Sequence, residues 1–171
     1  MASSYSFSQK YETQAYDVIL SKDDVQIRYY PSAAKIKTNS QLSRNSNFRK
    51  LFNYISGDNS NNEKIAMTTP VYMTPDKKEM EFVLPKKYLK SQTLPKSNNV
   101  IAYFSDPKHV ASIHYSGYSN NKKEFTHTQR LLSKLIELNI RPIGNPYILS
   151  YDSPYKFYNR RNEIIIEIEY N

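Results

Sequence analysis

The chain has no cysteine, no tryptophan, three glycines and three histidines in 171 residues. Without cysteine there can be no disulfide scaffold, thiolate zinc site, iron–sulfur cluster or cysteine nucleophile. The histidines, His109, His114 and His127, form no HExxH pair, which argues against a histidine-rich metal centre. His109 and His114 have opposite parity along one strand-like run, so they should face opposite sides of a sheet and cannot share a metal. Gly57, Gly117 and Gly144 are too scattered for a phosphate-cradling loop, and no G-x-S-x-G, P-loop or G-x-G-x-x-G occurs. No segment approaches the roughly 20 apolar residues that a bilayer-crossing helix needs. The start Met1-Ala2-Ser3-Ser4-Tyr5 has no signal-peptide core, and no Asn-x-Ser/Thr sequon is found. The expectation is a soluble, cytoplasmic monomer without visible catalytic machinery.

What is present suits one ordinary domain. Residues 1–14 read as a polar tail and 15–171 as a single domain with halves at about 15–85 and 100–170. Lys and Arg number 24 against 16 Asp and Glu, a net charge of +8. That balance favours acidic partners: nucleic acid, anionic lipid or a small ligand with carboxylates. The pairs Lys77-Lys78, Lys86-Lys87, Lys122-Lys123 and Arg160-Arg161 are dispersed, which weighs against nucleic acid.

Residues 15–20 and 25–30 read as a hairpin, and Pro31 interrupts before Ala33 to Thr38 resumes the strand. Phe48, Leu51, Phe52 and Ile55 mark a helix, with Ser46 or Asn47 as its N-terminal cap and Gly57 closing its last turn. Residues 65–73 and 80–84 are strand-like. Residues 85–99 form a long polar connection, after which the order recurs: strands over 100–104 and 109–115, a helix over 122–138, and two more strands. In the last, Ile164, Ile166 and Ile168 alternate with Glu163, Glu167 and Glu169, and the glutamates are expected on a solvated edge. Strand-strand-helix-strand-strand thus appears twice. The predicted fold is α+β: a distorted antiparallel β-barrel from two ββαββ pseudo-repeats with two flanking helices.

Sixteen tyrosines and seven phenylalanines stand out. Tyrosine offers a flat apolar face and a polar tip, which suits a groove for a planar ligand. Tyr147, Tyr151, Tyr155, Phe157 and Tyr158 lie beside Lys156, Arg160 and Arg161, so flat apolar surface and carboxylate-binding cations are neighbours.

Four blocks resemble the SOUL haem-binding family: 48–59 (FRKLFNYISGDN), 64–71 (KIAMTTPV), 80–85 (MEFVLP), and 151–154 through 160–163 (YDSP to RRNE). The likeness spans about residues 15–169. It implies a distorted β-barrel of two such halves, and haem or another tetrapyrrole held in a mainly apolar groove near the first helix and the loop before the last strand. By position, Phe48 and Phe52 match apolar contacts and Lys156 matches a propionate-associated lysine. Asn53 and Asn45 stand where the family has a lysine and an arginine. Tyr29 takes the place of a proposed axial histidine, and phenolate can ligate ferric iron. The implied role is a non-enzymatic carrier or buffer. Two alternatives stay open. One is a protein-interaction module using Leu131, Leu132, Leu135 and Leu138 on the second helix, although such a stripe more often packs on its own sheet. The other is a small-molecule sensor or enzyme of the related effector-binding fold.

Overall fold

Stretches that alternate apolar and polar residues form the strands of this chain. The computed structural model describes residues 11–39, 44–153 and 155–170. The elements are β1 (Glu12–Thr13), β2 (Asp17–Lys22), β3 (Val25–Tyr30), β4 (Ala33–Asn39), α1 (Arg44–Ile55), β5 (Thr68–Thr69), β6 (Val71–Met73), β7 (Glu79–Val83), α2 (Lys86–Ser91), β8 (Ile101–Ser105), β9 (Lys108–Ser116), α3 (Asn121–Glu137), β10 (Arg141–Pro142), β11 (Tyr147–Ser150) and β12 (Arg161–Glu169). Most of the expected polar tail lies outside the described residues. Its end is tied down, because β1 pairs in parallel with β5.

The other strands form one antiparallel sheet in the order β2-β3-β9-β12-β11-β6-β7-β4-β8, with β10 added beside β12. The expected duplication is visible in that order. If β3, β4, β6 and β7 are exchanged for β8, β9, β11 and β12, the sequence from β3 to β8 reads the same from either end. The sheet curls into a half-barrel, the distorted barrel-like sheet expected from the sequence; among the described residues no ladder joins its ends, β2 and β8.

Strand parity sorts the sheet into two faces. On one, Val25, Ile27, Ile36, Met80, Phe82, Ile113 and Ile164 pack under Leu51, Tyr54 and Ile55 of α1 and Leu131 and Leu135 of α3. Of the leucine stripe of α3, Leu131 and Leu135 are fully buried on the sheet, while Leu132 and Leu138 are half-buried. The other face carries a smaller cluster of Tyr30, Ala33, Tyr72, Val83, Val110, Leu149 and Ile165, edged by Tyr16, Tyr147 and Tyr151.

Three local expectations are revised. Helix α1 begins at Arg44, so Asn47 is no cap: it is buried, accepts from the Thr38 hydroxyl at 2.8 Å and donates to the Lys78 carbonyl at 3.0 Å. The connection 85–99 contains a third helix, α2, opened by Pro85 and closed by Gln92 in the left-handed region. Buried Tyr88 anchors it by donating to Glu63 at 2.7 Å. The strand expected over 65–73 is only β5 and β6, on either side of Pro70.

Helix α3 is capped by Asn120, whose side chain accepts from the Lys123 amide at 3.0 Å. Asn120→Ala should lower unfolding free energy by about 1 kcal/mol, measured by urea denaturation. An unchanged midpoint would show that the cap contributes nothing.

Candidate functional site

An opening with an apolar floor lies on the helix-covered face beside α1. It is a groove of about 380 Å3 lined by Arg44, Asn45, Phe48, Val71, Met73, Met80, Ser150, Asp152 and Arg160, within the size range of small-ligand pockets, roughly 300–1,000 Å3. Met73 and Met80 are opposite one another on β6 and β7, and Phe48 stands edge-on to Phe82 at 5.4 Å. The floor is therefore soft and apolar. Its rim is cationic: Arg44 is exposed at the start of α1, and Arg160 closes the far side.

Arg160 is only 8% exposed. Its Nη1 donates to the carbonyls of Ser153 at 2.8 Å and Lys156 at 2.6 Å, and the guanidinium sits 4.7 Å from the Tyr118 ring centre. Its buried Nε has no hydrogen-bond partner. A buried donor left unpaired costs free energy, so a ligand acceptor or water reaching this guanidinium would be favoured. Lys156 is bound to Asp152 at 2.5 Å. Burial works against the charged Asp152, but Lys156, the Arg161 amide and Arg160 outweigh it and hold this carboxyl below its ordinary value.

The residues singled out from sequence separate into several places. Phe48 and Arg160 share the groove, and Phe52 stacks on Phe48 at 5.9 Å. Asn53 is exposed at the end of α1, where its carbonyl accepts from Ser56 and Asp58. Tyr155 and Phe157 stand out from the β11–β12 loop. Arg161 points to the opposite face and bonds Glu163 and Tyr16. Tyr29 is on β3, three ladders from β11, with its ring 5.3 Å from His109. It does not meet the groove.

The opposite face holds buried charge that sequence parity had put in water. Glu163 is fully buried. Arg28 reaches across β9 to grip both its oxygens at 2.8 and 3.0 Å, Tyr151 donates at 2.8 Å and Arg161 at 2.7 Å. Burial alone would raise this carboxyl, but Arg28 and then Arg161 hold it below the usual carboxylate range. Every Glu163 oxygen already has two or more donors, so it is poorly placed to act as an acid or base. The other two glutamates of the alternation remain near the surface, Glu167 by Lys108 and Glu169 by Arg141. A second buried pair joins Lys35 to Glu81 at 3.2 Å; Tyr103 donates to Glu81 at 3.0 Å and the Lys35 ammonium lies 3.6 Å from the Tyr72 ring centre. Desolvation pushes Lys35 down to about 8 despite Glu81. Neither pair had a sequence signal beyond residue type.

Among the described residues no three metal-ligating side chains cluster. The sequence profile described as SOUL heme-binding protein matches residues 11–167. The chain belongs to this SOUL family. No curated protein sequence matches it as a relative. Among solved structures, this SOUL protein is similar to the EcmrR C-terminal domain, with a TM-score of 0.60, 11% identity, and 91% of this chain and 99% of that one covered. It is also similar to a hydrolase from Listeria innocua, with a TM-score of 0.59, 7% identity, and 88% and 94% of the two chains covered. At such identities these two likenesses speak for the SOUL protein's fold alone. The family is described as one of haem binding, and the α1 groove of this member has an apolar floor with Phe48, Arg44, Asp152 and Arg160 around it.

Proposed function

We propose that this protein binds haem or another tetrapyrrole in the α1 groove without turning it over, as a carrier or buffer. The observation that carries this reading is the joining of an apolar floor, Val71, Met73 and Met80, to a rim with Arg44 and Arg160. A porphyrin has that pattern in reverse, a flat apolar disc with carboxylates on one edge. Burying a few hundred Å2 of it at about 25 cal/mol per Å2 supplies a gross drive on the order of 5 to 10 kcal/mol, before the cost of association. Arg44 would meet the carboxylates although Asn45 and Asn53 replace the family's cations. Iron contributes nothing essential in this arrangement, so haemin and metal-free protoporphyrin IX should bind alike.

Absorption titration of the purified protein with each pigment tests this, and saturable binding of both is expected. Phe48→Glu places a carboxylate on the aromatic wall and should weaken both by about tenfold, the equivalent of ~1.4 kcal/mol. Absence of saturable binding to either pigment would overturn the reading.

A further inference from the structure

Three aromatic rings within four residues stand in water on the β11–β12 loop: Tyr155 is 90% exposed, Phe157 76% and Tyr158 67%. Single exposed apolar residues are ordinary, but a contiguous group marks an interaction surface. The base of this loop is pinned while its tip is bare. Arg160 is tied to the Ser153 and Lys156 carbonyls, and Lys156 to Asp152. Asp152 and Arg160 also line the α1 groove, whose other wall carries Phe48. Phe48 and its stacking partner Phe52 are themselves 38% and 47% exposed. The loop that carries the three rings is thus rooted on residues of one groove wall, and the Phe48–Phe52 pair stands at the other.

Charge follows the same places. From Val25 to Gly57 the chain has no Asp or Glu but six cations: Arg28, Lys35, Lys37, Arg44, Arg49 and Lys50. Arg28 and Lys35 are consumed inside; Arg44 and Arg49 are exposed on α1. From Ser153 to Asn162 there is again no acid, and three cations.

We propose that the mouth of the α1 groove docks on an anionic lipid bilayer. Tyr155, Phe157 and Tyr158 enter the boundary between headgroups and acyl chains, and Arg44, Arg49 and Lys156 face the headgroups. Rings with polar tips favour that boundary, where one end is dry and the other wet. Cations alone or a few rings alone bind membranes weakly and reversibly, and together they give the two signals that stable attachment requires. A protein partner would call for a well-packed patch with pockets, whereas a bare loop tip beside cations on a helix fits a soft, charged plane. Docking does not rest on the tetrapyrrole reading. It would let the groove open toward a membrane-dissolved ligand.

The test uses the full chain without added pigment, co-sedimented with phosphatidylcholine vesicles and with vesicles containing about 30% phosphatidylserine, where each surface cation should give roughly a fivefold gain in partition. Binding is expected to the anionic vesicles, to fall with salt, and to drop at least about tenfold in the triple variant Tyr155→Ser, Phe157→Ser, Tyr158→Ser. Arg44→Glu with Arg49→Glu should weaken it similarly. Because the chain has no tryptophan, Phe157→Trp supplies a single reporter in an otherwise intact loop. Its emission should shift to the blue on anionic vesicles. No binding to anionic vesicles, a triple variant that binds as well as the original, or an unshifted reporter overturns the proposal; binding by charge alone would mean diffuse attraction to any polyanion. Pigment titration is done without lipid, so either idea can fail alone.

Discussion

Replacing Glu163 by glutamine is expected to cost the fold about 3–5 kcal/mol, the usual price of breaking a buried ion pair. The loss comes from what remains. Arg28 has a side chain only 5% exposed, and its guanidinium would lie over β9 facing an amide whose NH2 repels one arm of the fork. Arg161, 45% exposed at its side chain, can turn to solvent and adds little. Urea unfolding should show a lower midpoint at an unchanged slope. A thermal midpoint lower by about 10 °C is the matching figure for a chain of this size. The pH dependence gives a second readout. The folded Glu163 carboxyl lies below its ordinary value, so its stabilisation is complete above the unfolded carboxylate range and is lost as pH falls through the folded value. The glutamine variant should lack that part of the acid sensitivity. A loss under about 1 kcal/mol would mean that water reaches this network and that it behaves as a surface pair.

Glu81→Gln should be the next most damaging change, about 3 kcal/mol near neutral pH. Glutamine can still accept from Tyr103, so the variant removes chiefly the charge opposite Lys35. That ammonium is buried, on a side chain 3% exposed, and already depressed to about 8. Without Glu81 it would release its proton more readily still. The deficit relative to the parent should therefore shrink as pH rises through about 8, because a neutral amine needs no counter-charge. In the parent, the unfolded chain keeps the Lys35 proton up to its ordinary value near 10.5 while the folded protein has released it. This lysine therefore makes stability rise with pH across that window. Tyr30, Tyr54, Tyr115 and Tyr147, each raised to about 12 by burial, then reverse the sign. From about 10 upward the unfolded tyrosines ionise first and stability falls. Chemical denaturation of both proteins across this range checks the pattern; a deficit independent of pH would mean Lys35 is not the group left stranded.

The architecture was readable because strand and helix periods are local. Ile164, Ile166 and Ile168 announce their face without knowledge of the neighbours, and Leu131 and Leu135 announce theirs. Glu163 could not be placed in this way. Its parity matches Glu167 and Glu169, and only the arrival of Arg28 from β3 makes one of the three an interior residue. Asn47 misled for a related reason: asparagine before an apolar run usually caps a helix, but this one bonds Thr38 of β4 and the Lys78 carbonyl. For the groove, the family likeness pointed to Phe48 and the loop before β12. Position-by-position transfer saw charge vanish at Asn45, whereas Arg44, one residue earlier, lines the same groove. Arg161 shares the face of Glu163, two residues on in the same strand, and only its bond to Tyr16 comes from a distant part of the chain.

The mirror-like strand order also governs how the chain can reach this state. Val25 lies against Ile113, Met73 against Ile148, and Lys35 against Tyr103, so each half completes its hydrogen bonding with backbone from the other. A fragment ending in the α2 connection would display open ladders and have no way to satisfy them. The two copies, whatever their origin, have become one cooperative body whose assembly must wait for distant segments to meet, and its folding should be slow for its length.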